Sequence, residues 1–292
     1  MQHWAAAGGS DGTSVRIRLP DIRVQSFATF YYFVNVVGPL EDFLYPEWGN
    51  VRFSLRGHWS VESRELRRAV PRRAALFGPT DRAMKCSTVD GVTAGFGLTP
   101  LGWQRLFDVP AEALADRIVD LGDLMGEPGD AIHARVVAAG DDEARAALFD
   151  RLLLDRIAAR APNTEEAIRV DGALRDRPRD VASFAQATGM SPRTLKRVCK
   201  QVFGFGPKRL LRRQRFLDTL GRVRVADGVR FADLRDPSYF DQSHFNHEFH
   251  EFMGLSPKQY LSAPRPLMGQ AALVQLQQGI PLSFRLPPPP DG

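Results

Sequence analysis

The chain has 292 residues, 43% of them hydrophobic, with 39 Lys and Arg against 34 Asp and Glu and a formal net charge of +5. That length accommodates about two domains of roughly 100–200 residues each, and the composition is that of a soluble globular protein. No apolar run reaches the ~18 residues of a membrane span, the start MQHWAAAGGSDGTS lacks the basic-then-apolar pattern of a secretory signal, and two cysteines, Cys86 and Cys199, exclude a disulfide framework and a four-cysteine zinc site.

In chain order, residues 1–14 are rich in Gly, Ala and Ser and are expected to be disordered. Residues 15–97 are rich in aromatic and β-branched residues. Alternation in VRIRL and VRFSL marks half-buried strands, and about six to eight short strands are expected, hence a sandwich or small barrel. From residue 100 the pattern turns helical, in PLGWQRLF, in PAEALADRIVDL, and in AIHARVVAAGDDEARAALFDRLLLDRIAAR with a break near Gly140. In that last stretch Ala147, Leu148, Leu152 and Ile157 recur at helical spacing.

APNT at 161–164 reads as a linker, with Thr164 as N-cap and Glu165 and Glu166 in the first turn of the next helix. Residues 165–261 read as all helix. The tail 264–292 ends in LPPPPDG and is expected to be extended or disordered. The fold expected is α+β: a β-rich domain with trailing helices over 15–160, an all-α domain over 161–263, and a Pro-rich tail.

Charge is concentrated in one place. Residues 191–224 carry eleven Lys and Arg against the single acid Asp218, a net of +10, whereas residues 225–262 have a net of −3. The two regions are nonetheless related by an offset of fifty residues: SPRTLKRVCKQVFGFGPKRLL at 191–211 aligns with DQSHFNHEFHEFMGLSPKQYL at 241–261. Ser191 and Asp241 are both suited to cap a helix start. Gly204 and Gly254 suit the left-handed C-terminal cap, and Pro207 and Pro257 open the next helix of each copy. Upstream, DVASFAQATGMS reads as a short helix and a turn at Gly189, so each copy is a helix-turn-helix unit.

Three of the six histidines, His244, His247 and His250, fall within SHFNHEFHEF. At ~100° per residue, Phe245, Phe249 and Phe252 form one stripe and the histidines take the opposite half. In the first copy Leu195, Cys199 and Val202 form the inner stripe, with Thr194, Arg197 and Lys200 outward. A metal site is the weaker reading of the histidines, because the outer pair is ~9 Å apart along a straight helix at ~1.5 Å per residue.

These stretches resemble the AraC/XylS family of bacterial transcription regulators. FAQATGMSPRTLKRVCKQVFGFGPKRLLRRQRF and YFDQSHFNHEFHEFMGLSPKQYL carry the resemblance, which spans about residues 165–262. It implies seven helices, two helix-turn-helix units bridged by a long helix through LLRRQRFLDTLGRV, and double-stranded DNA as partner. It further implies contact with RNA polymerase. LYPEWGNVRFSLRG and GFGLTPLGWQRLFDVPAEALADRIVDLGDLMG are similar to a sensor domain fused to such regulators, which implies a cupin-like β domain that binds a small-molecule effector or mediates homodimerisation.

By position in the motif, Arg193, Thr194, Lys196 and Arg197 would read bases in the first unit, and Gln242, Ser243, Asn246 and His247 in the second. Arg197 is the best candidate for guanine, because its fork matches O6 and N7. Ser191, Lys200, Lys208, Arg209, Arg212, Arg213 and Lys258 would contact phosphates. The second unit departs from the family in its histidines, in Ser238 where a turn glycine is usual, and in RDP at 235–237; Glu248 and Glu251 would repel phosphates if they faced DNA.

Alternatives place chemistry elsewhere. Cys86, beside Lys85, would be the nucleophile of an alkyl-accepting domain, but buried structural cysteine is the simpler reading. The expectation is therefore a cytoplasmic, non-enzymatic regulator without a cofactor. Trp48, Trp59, Tyr31, Tyr32 and Phe33 either line an effector cavity or form ordinary core. The AALFDRLLLDRI helix is the candidate dimer contact.

Overall fold

A strand whose residues are apolar on both faces must be covered on both, and this requirement organises the N-terminal half. The computed structural model describes residues 4–9, 12–63, 68–225 and 241–280. Ten strands are described: β1 (Trp4–Gly8), β2 (Ser14–Arg18), β3 (Ala28–Asn35), β4 (Pro39–Leu44), β5 (Asn50–Arg56), β6 (Trp59–Glu62), β7 (Ala74–Phe77), β8 (Met84–Val89), β9 (Val92–Leu98) and β10 (Ile118–Asp120). Eight of them, β2 to β9, lie within 15–97 to within one residue at either end, as the alternation predicts. They form a seven-stranded sheet, β1-β2-β3-β9-β5-β7-β10, and a three-stranded sheet, β4-β8-β6. Every pairing is antiparallel.

β3 shows why the large sheet is buried on both sides. Tyr31 and Phe33 join a core shared with the helices that follow the strands. Phe30, Tyr32 and Val34 point the other way, into a core shared with the small sheet. This double-sheet arrangement is that of the jelly-roll and cupin architectures.

The helices behind the large sheet are α1 (Pro100–Leu106), α2 (Ala111–Leu114), α3 (Gly122–Met125), α4 (Gly129–Ala138) and α5 (Asp142–Ala159). Asp141 caps α5, accepting from the Ala144 N–H at 2.8 Å, and Asp142 and Glu143 occupy its first turn, where the helix dipole favours acids. The inward row of α5 is Ala146, Phe149 and Leu153. Ala147, Leu148, Leu152 and Ile157, the row expected from spacing, are half-buried flanks. The Phe149 ring lies 5.3–5.5 Å from those of Tyr31, Phe53 and Phe96, and Tyr31 donates to Asp150 at 2.5 Å.

The C-terminal helices are α6 (Glu165–Arg175), α7 (Val181–Thr188), α8 (Pro192–Phe203), α9 (Pro207–Val225), α10 (Gln242–Met253), α11 (Pro257–Ser262) and α12 (Pro266–Gln277). Asp180 and Ser183 form a reciprocal capping box at the start of α7. Gly204 and Gly254 end α8 and α10 with φ of 84° and 71°, the left-handed conformation that glycine adopts without steric penalty.

Four expectations are corrected. The segment 1–14 contains β1, which pairs with β2 over its whole length. PAEALADRIVDL is not one helix: Asp116 takes φ 58°, helix stops at Leu114, and Ile118–Asp120 adds an edge strand to β7. Thr164 occupies the N-cap position of α6 without a side-chain bond, and Asn163 accepts from the Glu165 N–H instead. The tail is not extended throughout, because residues 266–277 form α12, whose Leu267 and Val274 are buried among residues of both sheets. The seventh helix of the expected domain, Ser238 and RDP at 235–237 lie outside the described residues.

Phe149→Ala is expected to destabilise the protein by about 3–5 kcal/mol, since it leaves a cavity among the rings of Tyr31, Phe33, Phe53 and Phe96. Urea unfolding followed by far-UV circular dichroism checks this.

Candidate nucleic-acid interface

The first unit is built from α7, a turn at Gly189 and α8. Ser191 starts α8 by accepting from the Thr194 N–H at 3.2 Å, and Pro192 follows at the first helical position. Leu195, Val198, Cys199, Val202 and Phe203 are buried on one side of α8. Arg193, Lys196 and Arg197 are exposed on the other, with Thr194 half-buried beside them.

α10 repeats the pattern. Asp241 accepts from the His244 N–H at 2.7 Å, and Phe245, Phe249, Phe252 and Met253 are buried. Gln242, Ser243, His244, Asn246, His247 and His250 are exposed, so the histidines occupy the outward face that their spacing predicts. Gln242 donates to Asn246 at 2.9 Å, and both line a groove with Lys258. Glu248 and Glu251 point to Arg212 of α9 rather than outward; the Arg212 Nε donates to Glu248 at 2.8 Å, and its Nη2 pairs with Glu251. Glu248 is 1% exposed.

The eleven cations of 191–224 do not form one open surface. Arg213 was expected at a phosphate, and the structure corrects this: it is 1% exposed, its guanidinium stacks 3.8 Å from the Trp48 ring centre, and its Nε donates to the Thr80 carbonyl at 2.9 Å. Burial presses its pKa downward. Arg209 makes a two-pronged pair with Asp81 and reaches Asp116 at 3.2 Å. Arg209 and Arg213 thus fasten α9 to the β domain.

Arg197 donates to Glu166 of α6 at 2.6 Å and to Gln201 at 3.1 Å. Lys200 donates to Glu112 of α2 at 2.6 Å. Lys208 and Lys258 are exposed. The roles of Arg209 and Arg213 leave no local signal in the sequence, because their partners lie more than ninety residues away.

Between the two sheets lies a cavity of about 360 Å³. Of the five aromatics considered for it, Tyr32 and Trp59 line it. Tyr31 and Phe33 face the helices, and Trp48 packs with the α8 core at the domain junction, 5.6 Å from the Phe203 ring.

Cys86 is 1% exposed, and burial pushes its thiol up to about 12, the opposite of what a nucleophile needs. Among the described residues no group of three or more His, Cys, Asp and Glu is placed to hold a metal ion, and no helix is long and apolar enough to cross a membrane.

A family described as a helix-turn-helix domain matches residues 184–263, the stretch from within α7 to the end of α11. The chain carries an AraC-type helix-turn-helix domain at its C-terminal end. Such a domain binds DNA and regulates transcription. Among solved structures, ToxT from Vibrio cholerae is 12% identical with a TM-score of 0.47, covering 79% of this chain and 97% of that one. An unsaturated fatty acid-bound ToxT from the same organism is 11% identical with a TM-score of 0.44, over 78% and 94%. The AraC-like transcriptional activator CuxR is 12% identical with a TM-score of 0.31, over 74% and 86%. No curated protein matches the chain.

The pairing of the AraC-type domain's α9 with α10 is testable. Arg212→Ala leaves the buried Glu248 carboxylate uncompensated and is expected to destabilise by about 3 kcal/mol, read from urea midpoints at pH 7. The bond from Arg212 holds the Glu251 carboxyl below its ordinary value. A lowered carboxyl contributes stability that is present above its unfolded value and lost as pH falls through the folded one. The wild-type midpoint should therefore fall on acidification below the ordinary glutamate range, and Glu251→Gln should show a smaller fall.

Proposed function

We propose that this protein is a cytoplasmic, sequence-specific transcription regulator that reads double-stranded DNA through α8 and responds to a small molecule held in its β domain. The observation that carries the DNA reading is the division of α8: one face is wholly buried, while Arg193, Lys196 and Arg197 project from the other beside Thr194. A helix so divided can lie in a major groove with its cations at base edges while its inner face holds the fold.

Arg197 is the guanine reader of the first unit. Its fork is held by Glu166 and Gln201, so on binding it exchanges an exposed ion pair for O6 and N7. Exposed ion pairs are worth about 0.2–1 kcal/mol, and a good bidentate contact discriminates by about 1–3 kcal/mol, so the exchange favours the correct base.

Ser191, Lys200, Lys208 and Lys258 are the phosphate contacts, Lys200 after release from Glu112. Arg209 and Arg212 are committed to acids within the protein and are secondary at most. The second unit contributes hydrogen bonds from Gln242, Ser243, Asn246 and His247 rather than charge.

The effector reading rests on the partly open cavity between the sheets. Contact with RNA polymerase and pairing of two copies belong to the same reading. Catalysis does not: the one cysteine considered for it is buried with its thiol pushed up.

On a duplex selected by the wild type from a random library, Arg197→Ala should lose about 1–3 kcal/mol and relax the preference at one base pair. Lys208→Ala should weaken all duplexes alike and lower the salt slope by about 1. Fluorescence anisotropy at several salt concentrations measures both. Wild-type binding by Arg197→Ala would remove α8 from the role of base reader.

A further inference from the structure

The β-domain cavity is not walled by the β domain alone. Leu267, Met268, Ala271 and Gln275, all on α12, line it as well. They recur at helical spacing, so α12 turns one continuous stripe to the cavity, while Leu273 and Leu276 are exposed at 52% and 50%.

α12 is seated by specific contacts. Asp42 of β4, 2% exposed, accepts from the Leu267 and Met268 N–H groups at 2.9 and 2.8 Å. A buried carboxylate on the open N–H groups of a helix start fixes where that helix begins. Leu267 and Val274 then pack with Val15 and Ile17 of β2 and Leu40 and Leu44 of β4.

The same helix is tied to the second helix-turn-helix unit. Only residues 263–265 separate α11 from α12. Met268 and Tyr45 both line the cavity and both pack into the core formed by α9, α10 and α11. The Tyr45 hydroxyl bonds that of Tyr260 of α11 at 2.7 Å, and the Arg265 guanidinium lies 4.8 Å from the Tyr260 ring centre. The Ala83 N–H donates to the Phe252 carbonyl at 2.7 Å. The cavity wall and the second unit therefore share residues.

The lining defines a ligand chemistry. Val15, Ile17, Val34, Leu44 and Phe77 give apolar walls. At one end of β5, Tyr32, Asn50, Glu47 and Arg52 bond to one another, so their charges are answered within the protein. At the other end, six residues along the strand, Arg56, His58, Arg72 and Arg73 line the cavity. Arg56, Arg72 and Arg73 are exposed there; Arg56 donates to the Asn35 side chain at 3.2 Å and Arg72 lies 3.9 Å from Asp120, so the cationic surplus of this end remains solvent-facing.

We propose that this cavity takes a predominantly apolar molecule with one anionic end, and that α12 is its closing wall, so that occupancy and the placement of the second helix-turn-helix unit form one linked equilibrium. The proposal rests on the effector reading above and adds the ligand class and the route. A ligand that touches α12 has a different affinity for states in which α12 is seated or displaced, and linkage requires DNA to change ligand affinity by the same factor as ligand changes DNA affinity.

The test uses the full chain, 8-anilinonaphthalene-1-sulfonate as probe, and N-phenyl-1-naphthylamine as its uncharged counterpart. The sulfonate should bind once per chain, more tightly than the uncharged probe, with energy transfer that Trp59→Phe reduces. Filling the cavity from β3 by Val34→Trp, or from α12 by Ala271→Trp, should weaken binding by roughly tenfold, because the added ring occupies the space the probe needs. Ala271→Leu gives a smaller loss should the tryptophan disturb folding.

Probe and selected duplex should alter one another's affinity by the same factor, of about fivefold or more, and Ala271→Trp should abolish the coupling. If Val34→Trp weakens the probe and neither Ala271 variant does, the effector site stands and α12 is not its wall. If none of the three does, the cavity is not the effector site and both readings fall. Equal affinity for the two probes overturns the anionic end, and a duplex affinity indifferent to the probe overturns the linkage.

Discussion

A seven-stranded sheet with apolar side chains on both faces has to be covered twice, and the rest of the molecule follows from how the two covers are supplied. One face takes α1, α4 and α5 and closes into dense core around Phe149. The other takes a sheet of only three strands, narrower than the surface beneath it. The remaining area over β1 and β2 is covered by α12, which arrives from the far end of the chain and also meets β4 of the small sheet. Because a three-stranded cover and one helix do not fill the space as α5 does, a partly open cavity of about 360 Å³ remains. The cavity is thus a consequence of incomplete coverage.

The second organising fact is the division of labour among cations. A run of eleven Lys and Arg against one acid invites reading the whole run as a DNA surface. The helical geometry separates it. On α8, Arg193 and Lys196 are exposed and Arg197 and Lys200 are held by the solvent-facing acids Glu166 and Glu112, while α9 turns Arg209 and Arg213 toward the β domain and Arg212 toward α10. A guanidinium can be buried when planar stacking and carbonyl or carboxylate bonds replace its water, and Arg213 has both, from Trp48 and Thr80. The polar network on α9 therefore joins the two parts of the chain, and the exposed positive charge is smaller and more localised than composition suggests.

The two helix-turn-helix units differ for the same reason. α8 and α10 share the N-cap, the buried stripe and the glycine end, but they do not share charge. Glu248 and Glu251, which would oppose phosphates if outward, are consumed by Arg212, leaving an outward face of His, Gln, Asn and Ser on α10. That face suits hydrogen bonding. The second unit also shares Tyr45 and Met268 with the cavity, so it has a structural tie that the first unit lacks.

What the sequence by itself determined is whatever local rules encode. The fifty-residue repeat, the capping Ser191 and Asp241, the buried stripes of α8 and α10 and the outward histidines all depend on residues within a few turns of one another, and all are where spacing places them. Strand alternation likewise indicated the β-rich half. The tertiary structure alone decided what depends on distant partners. Arg213 is buried because Trp48 and Thr80 come to it, and Arg209 is paired because Asp81 and Asp116 do. Ile118–Asp120 is a strand because β7 offers an open edge, although its sequence continues a helical pattern. Residues 266–277 are a seated helix because Asp42 and the uncovered part of the large sheet receive them. Periodicity reports which face of an element is apolar; it carries no information about which remote surface that face will meet.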